Sequence, residues 1–426
     1  MRVIKNILKT PLFRITSLNS ISMLFKIATG LISSKIIALF VGPQGLALLG
    51  NLRNLMTVME TITTLGFQNG IVKYVTEHSA EQQKLKKVIS TVLISITLVA
   101  LVLSGLLFFM SDYLNDIVFG TTFKYSFIFK ALAVAFPWYA ASLVLISVIN
   151  GLSKFKHVIY ITIFGNIIGL AISVVMIWQY RTLGALLSIC IAPSMLFFAA
   201  LYFVNKEIKL LDYIAYTSFS FNILKKMSSY SLMAFVSAVV APLVFLVIRK
   251  NIILAVGIEQ AGYWEAINKI SAYYLMFIGT ILTLYFLPKL VQANNHKETN
   301  TVFRSYCITI MPVFILGLFL LFIMKDFIVR LLFSADFMPV KNLFFWQLCG
   351  DVLKGFSLIL GYNLIAKKHT VFFIITEFIS MGIMYFASFY LISVYGIEGV
   401  VMAHCITYVV YLIILIIYFR KVLLNR

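Results

Sequence analysis

Acidic residues are scarce in this 426-residue chain, 15 Asp and Glu against 35 Lys and Arg, and only 12% of all residues are charged. Soluble domains carry about twice that proportion, and with 62% of the residues hydrophobic a water-soluble fold is excluded. Strict alternation of apolar and polar positions is lacking too. Runs such as Val88 to Met110 are unbroken, which excludes the strands of a membrane β-barrel. Long polar stretches are missing: twelve membrane helices at about 20 residues each use over half the chain and leave no room for a soluble catalytic domain. Cysteine is sparse, and Cys190, Cys307, Cys349 and Cys405 stand far apart without the paired spacing of zinc or redox sites. There is no HExxH, no phosphate-cradling glycine loop followed by Lys and Ser/Thr, and no Ser/His/Asp arrangement in a loop. No enzyme, metal centre, cofactor or ATP-driven pump is therefore expected.

What is there reads as an all-α polytopic membrane protein. Apolar windows predict twelve transmembrane helices at about 15–41, 46–76, 88–110, 126–150, 158–178, 183–204, 228–248, 262–288, 302–324, 342–366, 370–393 and 397–419. The stretch from Met1 to Arg14 has no small-residue cleavage site and leads into the first span. An even count puts both termini on one side. The terminal-side segments hold 21 Lys and Arg, and the opposite side holds 7: Lys124, Arg181, Arg249, Lys250, Lys325, Arg330 and Lys341. The positive-inside bias predicts cytoplasmic termini in a cell membrane. It also accounts for most of the +20 net charge, which needs no nucleic-acid partner because the aromatics lie within apolar runs rather than among exposed cations.

The longest polar interval, 205–226, separates two expected six-helix lobes, 1–204 and 227–426, and reads as a cytoplasmic linker. A repeat supports the division. Lys35 precedes Gly42 in KIIALFVG as Lys250 precedes Gly257 in KNIILAVG, and Arg53 and Lys73 have the spacing of Lys269 and Lys289. Six helices per lobe make the repeat parallel, which puts a substrate site between lobes.

A charge at the bilayer centre costs about 2.5–3.5 kcal/mol on insertion scales, so the cations within spans, Lys26, Lys35, Arg53, Lys73, Lys130, Lys269 and Lys354, carry the functional question. Lys26 lies mid-span on a stripe with Ser22, Thr29 and Ser33, while Lys35 is near enough to a span end to snorkel. Arg53, Thr57, Glu60, Thr64 and Gln68 fall on one helical face, which suits either a cavity wall or a buried, ion-paired helix. Glu265 and Lys269 have the i, i+4 order of an intrahelical ion pair. Gln347, Asp351 and Lys354 share a face, and Glu377 stands alone in an apolar run, so it suits either cation coupling or pairing with a lysine. His404 reads as solitary. Gly165, Gly169 and Ser173 form a small-residue ridge for helix packing.

The stretches FVGPQGLALLGNLRNL (40–55), GFQNGIVKYVTEH (66–78) and FFWQLCGDVLKG (344–355) resemble the Wzx-type flippases of Gram-negative bacteria, in the branch near the enterobacterial common antigen flippase. The resemblance implies the two-lobe fold of the multidrug/oligosaccharidyl-lipid/polysaccharide exporter superfamily. It also implies an undecaprenyl-pyrophosphate-linked oligosaccharide, of O-antigen type or a relative such as lipid III, turned from the cytoplasmic to the periplasmic leaflet of the inner membrane. A proton or Na+ as coupling ion, an O-antigen polymerase and a chain-length regulator follow as implied partners. It carries over Lys26, Arg53 and Lys73 as cations for the pyrophosphate, with Asp351 and Lys354. Lys35, Lys269, Glu265 and Glu377 rest on intramembrane position, and Glu60, Asp351 and Glu377 are the expected coupling carboxylates. Two rival readings are a multidrug cation antiporter, whose cavity should be acidic, and a polysaccharide polymerase or ligase, which needs larger outward loops than Ser111 to Tyr125.

Overall fold

The computed structural model describes residues 11–424, whose regular elements are all helical, with no β-strand among them. Arg2, Lys5, Lys9 and Arg426 of the charge census lie outside the described residues. Helices are the expected outcome, because backbone amides in lipid have only one another as partners. In chain order they are α1 (Pro11–Phe40), α2 (Gly42–Thr64), α3 (Gln68–Glu77), α4 (Gln82–Phe109), α5 (Ser111–Val118), α6 (Ser126–Gly151), α7 (Phe155–Glu207), α8 (Phe221–Val256) and α9 (Ile258–Ile281). There follow α10 (Leu287–Gln292), α11 (His296–Thr309), α12 (Met311–Ile323), α13 (Lys325–Leu332), α14 (Phe344–Ala366), α15 (Thr370–Tyr395), α16 (Ile397–Tyr418) and α17 (Arg420–Leu424).

Among the described residues, ten segments are long and apolar enough to cross a membrane, so the chain is a multi-pass membrane protein. One of them, α7, has 53 residues, about 80 Å at the rise of a helix, against a hydrocarbon core of about 30 Å. It is two helices meeting at Arg181, whose φ of 51° and ψ of −124° interrupt the run. Helix α2 has 23 residues, enough to cross, but Asn51, Arg53, Asn54 and Glu60 make it too polar to stand among the ten.

The junctions repeat along the chain. Gly42 (φ 73°) opens α2 and Gly257 (φ 99°) opens α9; Ser153 (φ 60°) joins α6 to α7 and Lys368 (φ 57°) joins α14 to α15; Arg181 (φ 51°) divides α7 and Gly396 (φ 60°) divides α15 from α16. Each pair is 215 residues apart, the same separation as Gln44 and Glu259. Left-handed backbone is costly for residues other than glycine, so its recurrence at matched positions marks two copies of one backbone plan. One junction differs. The first copy breaks at Leu65 (φ 50°) and Gly66 (φ 65°), so the expected single span 46–76 is the two helices α2 and α3, whereas the second copy runs on from α9 through a π-helical turn, Leu282–Phe286, into α10.

Two compact units are distinguished by their internal packing: Met1–Val41 with Leu55–Phe235, and Gly42–Asn54 with Val236–Arg426. In the first, α6 is central and packs on α3, α4 and α7, with Phe129, Leu132, Phe136 and Val148 buried. In the second, its counterpart α14 packs on α9, α12 and α16. The small-residue ridge on α7 does what its spacing predicts: Gly165 lies against Leu196 and Gly169 faces Ala192, so the two arms of α7 pack closely. Large apolar side chains such as Leu98, Trp178, Phe319 and Phe386 are outward and exposed, as a lipid-facing surface requires.

Candidate functional site

Two polar constellations lie in the second unit. The first is built on Arg249 of α8, which is only 1% exposed. Its Nη2 donates to Glu265 Oε2 of α9 at 2.5 Å, and its Nη1 donates to Asn51 Oδ1 of α2 at 2.8 Å. The guanidinium carbon sits 5.2 Å from the Trp264 ring. A buried cation of this kind is tolerated only with close partners, because desolvation outweighs anything less. Glycine makes the approach possible: a Cβ on Gly50 would stand 2.6 Å from Glu265 Oε2 and 2.8 Å from Arg249 Cζ. One turn deeper, Arg53 of α2 and half-buried Lys269 of α9 lie within electrostatic reach of each other; Arg53 is also within reach of Arg249, and Lys269 of Glu265. Arg53, Arg249 and Lys269 together exceed the charge of Glu265, leaving the group positive.

The second constellation centres on Asp351 of α14, which has no exposed surface. Its Oδ2 accepts from Ser271 Oγ and Tyr274 Oη of α9, both at 2.5 Å, and from Gln347 Nε2 at 3.2 Å. Its Oδ1 is 3.0 Å from His404 Nε2 of α16. Gly350 lets the His404 ring lie against the α14 backbone. Lys354, one turn along, is 5.1 Å from the Tyr408 ring and within electrostatic reach of Glu377.

The first unit has a smaller counterpart. Half-buried Glu60 accepts from Tyr139 Oη of α6 at 2.7 Å and from Gln68 Nε2 at 3.3 Å, while the hydroxyls of Thr61 and Thr64 bond back to their own helix.

The structure thus brings Arg53, Lys269 and Glu265 together, and separately Asp351, Lys354 and Glu377. Lys26 is exposed on α1, where Thr29 bonds the Phe25 carbonyl. Lys35 is half-buried near the end of the same helix. Lys73 is exposed on α3, 3.7 Å from Glu77. Glu265 makes its short ion pair with Arg249 rather than relying on Lys269 alone. The sequence counts Arg249 among the cations of the opposite side and leaves His404 solitary; the structure instead buries Arg249 within α8 against Glu265 and sets His404 against Asp351, because each partner lies on another helix. Among the described residues no group of three or more His, Cys, Asp or Glu is arranged to hold a metal ion. Outside the spans, Lys84 Nζ donates to Glu81 Oε1 at 3.0 Å and holds that carboxyl below its ordinary pKa.

Comparison with known proteins gives a consistent set. A family model described as polysaccharide biosynthesis protein matches residues 13–294. The chain is 29% identical to the lipid III flippase of Escherichia coli (strain K12) over 396 residues, 92% of this chain and 94% of the relative, and matches that of Shigella flexneri equally. An inward-facing multidrug transporter of the MATE family superposes with a TM-score of 0.73 at 15% identity, covering 94% of each chain. The lipid II flippase MurJ in an inward closed conformation does so at 0.67 and 15%, covering 95% of this chain and 90% of that one. At such identities these structures speak for the fold alone.

Proposed function

Since the chain belongs to the polysaccharide biosynthesis protein family, we propose that it is a transporter and not an enzyme: a flippase that turns an undecaprenyl-pyrophosphate-linked oligosaccharide from the cytoplasmic to the periplasmic leaflet of a bacterial inner membrane. The lipid III flippases among its relatives favour this substrate class, with an O-antigen unit or lipid III as the specific cargo. The observation that carries the reading is the excess of positive charge where half-buried Arg53 and Lys269 and buried Arg249 face the single carboxylate Glu265. A pyrophosphate cannot cross hydrocarbon as a bare anion, because an isolated charge there costs tens of kcal/mol on Born estimates. Fixed cations lower that cost. Arg53 suits the role through its planar, two-pronged donor set, and Lys269 adds a point charge; Lys26, Lys35, Lys73 and Lys354 belong to the same reading as further cations along the route. The sugar and the prenyl tail need no such help, being suited to polar side chains and to lipid respectively.

In the same proposal the duplicated halves are two six-helix lobes, 1–204 and 227–426, in a twelve-helix plan with cytoplasmic termini, and they alternate the access of the substrate. Glu60, Asp351 and Glu377 are the carboxylates suited to a coupling proton or Na+. The excess of interior Lys and Arg disfavours an organic-cation antiporter, whose cavity should attract cations.

A flipping assay on Arg53→Ala, Arg53→Lys and Lys26→Ala at matched expression tests the reading. Arg53→Ala is expected to lose at least tenfold in rate, a loss of about 1.4 kcal/mol, with Arg53→Lys intermediate. Wild-type flipping in all three variants would sink it.

A further inference from the structure

The interval 205–226 is more than a tether between helices. It is fastened to α4 along its length: Ser90 Oγ donates to the Tyr213 carbonyl at 2.5 Å and accepts from Ala215 N at 3.0 Å, and Thr91 Oγ1 accepts from Ser220 N at 3.0 Å. Asn205 Oδ1 accepts from Leu210 N at 3.2 Å, and two short 3-10 turns, Leu210–Tyr213 and Tyr216–Ser218, shape the path. Every one of these residues belongs to the first unit.

The depth of this segment follows from its fastening. The apolar stretch of α4 begins at Val88, behind Lys84, Lys86 and Lys87, so Ser90 and Thr91 stand one turn inside it. A backbone bonded there lies at the boundary between headgroups and acyl chains. The large apolar side chains nevertheless point away from the protein. Leu211 and Tyr216 are each 83% exposed and Phe221 is 71% exposed, with Phe219 and Ile214 also outward, while Leu210 is buried. In water such a row would be an unburied patch without a reason. At a membrane interface, aromatic and aliphatic groups at this level are stabilising.

Charge identifies the lipid. Lys206, Lys209 and Lys225 are exposed along the interval, and Lys87 is exposed beside it. Glu207 is held by Lys154 at 2.6 Å and His157 at 3.2 Å, which leaves Asp212 as the exposed acid of the segment. Basic residues at a bilayer surface select anionic headgroups. We propose that residues 205–226 form an interfacial foot, with Leu211, Tyr216 and Phe221 inserted among acyl chains and Lys206, Lys209 and Lys225 bound to anionic phospholipid.

The test uses the full-length protein with Cys190, Cys307, Cys349 and Cys405 replaced, reconstituted in vesicles of phosphatidylethanolamine with phosphatidylglycerol. Single cysteines are placed at Leu211, Tyr216 or Phe221 and spin-labelled. Collisions with dissolved oxygen are expected to exceed collisions with an aqueous nickel chelate at all three sites, as at the lipid-facing Leu98. In the same vesicles the wild-type foot should prefer labelled phosphatidylglycerol over labelled phosphatidylcholine. The triple variant Lys206→Gln, Lys209→Gln, Lys225→Gln should keep the insertion and lose that preference at least roughly fivefold, the effect of one lysine near an anionic surface. Free access of the chelate at the three sites would overturn the proposal. So would shielding that develops only when a soluble protein is added, which would make the surface a protein dock. An unchanged lipid preference in the triple variant would overturn the anionic half of it.

Discussion

Both units set an intramembrane carboxylate against a tyrosine hydroxyl, on the same pair of helices in the repeat but with the chemistry exchanged. In the first, the carboxylate Glu60 is on α2 and Tyr139 is on α6; in the second, Tyr274 is on α9 and Asp351 on α14. Around Glu60 there are two hydrogen-bonding side chains and partial exposure. Around Asp351 there are Ser271, Tyr274, Gln347 and His404 and no exposure. Duplication kept the helix contact and let its content diverge. A carboxylate enclosed by that many donors is organised by the protein, while a half-open one stays available to water and ligand.

The sharpest way to break this contrast is to delete both carboxylates. Asp351→Ala strands several buried donors and the His404 ring, and should cost about 3–5 kcal/mol, the range for removing one partner of a buried pair. Glu60→Ala should cost about 1 kcal/mol, the size of an ordinary hydrogen bond. Thermal unfolding in detergent distinguishes them, and equal shifts would show the two sites to be equivalent. Next in size, Gly50→Ala drives a methyl group into the Arg249–Glu265 pair and should destabilise by about 1–3 kcal/mol. Its control in the first unit is Gly105→Ala on α4, where a Cβ meets nothing within 4 Å; there helix propensity alone acts and should stabilise by up to about 1 kcal/mol. The smallest effect concerns the junctions. Arg181 holds a backbone conformation that its counterpart Gly396 adopts freely, so Arg181→Gly should relieve about 1–3 kcal/mol of strain, less about 1 kcal/mol for the guanidinium 4.8 Å from the Phe40 ring. A slightly higher unfolding temperature is the expected result, and a lower one would show that the ring contact dominates.

Much of the fold was legible because hydropathy and lipid leave the backbone few choices. Apolar runs located the helices, and the KIIALFVG and KNIILAVG stretches located a repeat that recurs in the left-handed residues Gly42 and Gly257. The break at Leu65 and Gly66 leaves no mark on hydropathy, because a hydrophobic window averages over a single junction. Side-chain partnerships were least legible. Arg249 meets Asn51 across 198 residues of chain, and His404 meets Asp351 across 53; periodicity within one helix carries no information about which neighbour it will face. Arg53, Glu265 and Lys269 are legible because polarity inside a span is conspicuous wherever its partner lies.

The ion pair of Arg249 and Glu265 also bears on how the chain enters its membrane. The two residues are separated by only 16 positions, across the turn at Gly257 between α8 and α9. A guanidinium delivered alone into lipid would face the full insertion penalty, but here the neutralising carboxylate follows almost at once during synthesis. The two helices form a hairpin whose charges are matched within it, and Asn51 comes from a part of the chain made long before. The order of residues along the chain thus keeps a charge and its counter-charge within one hairpin.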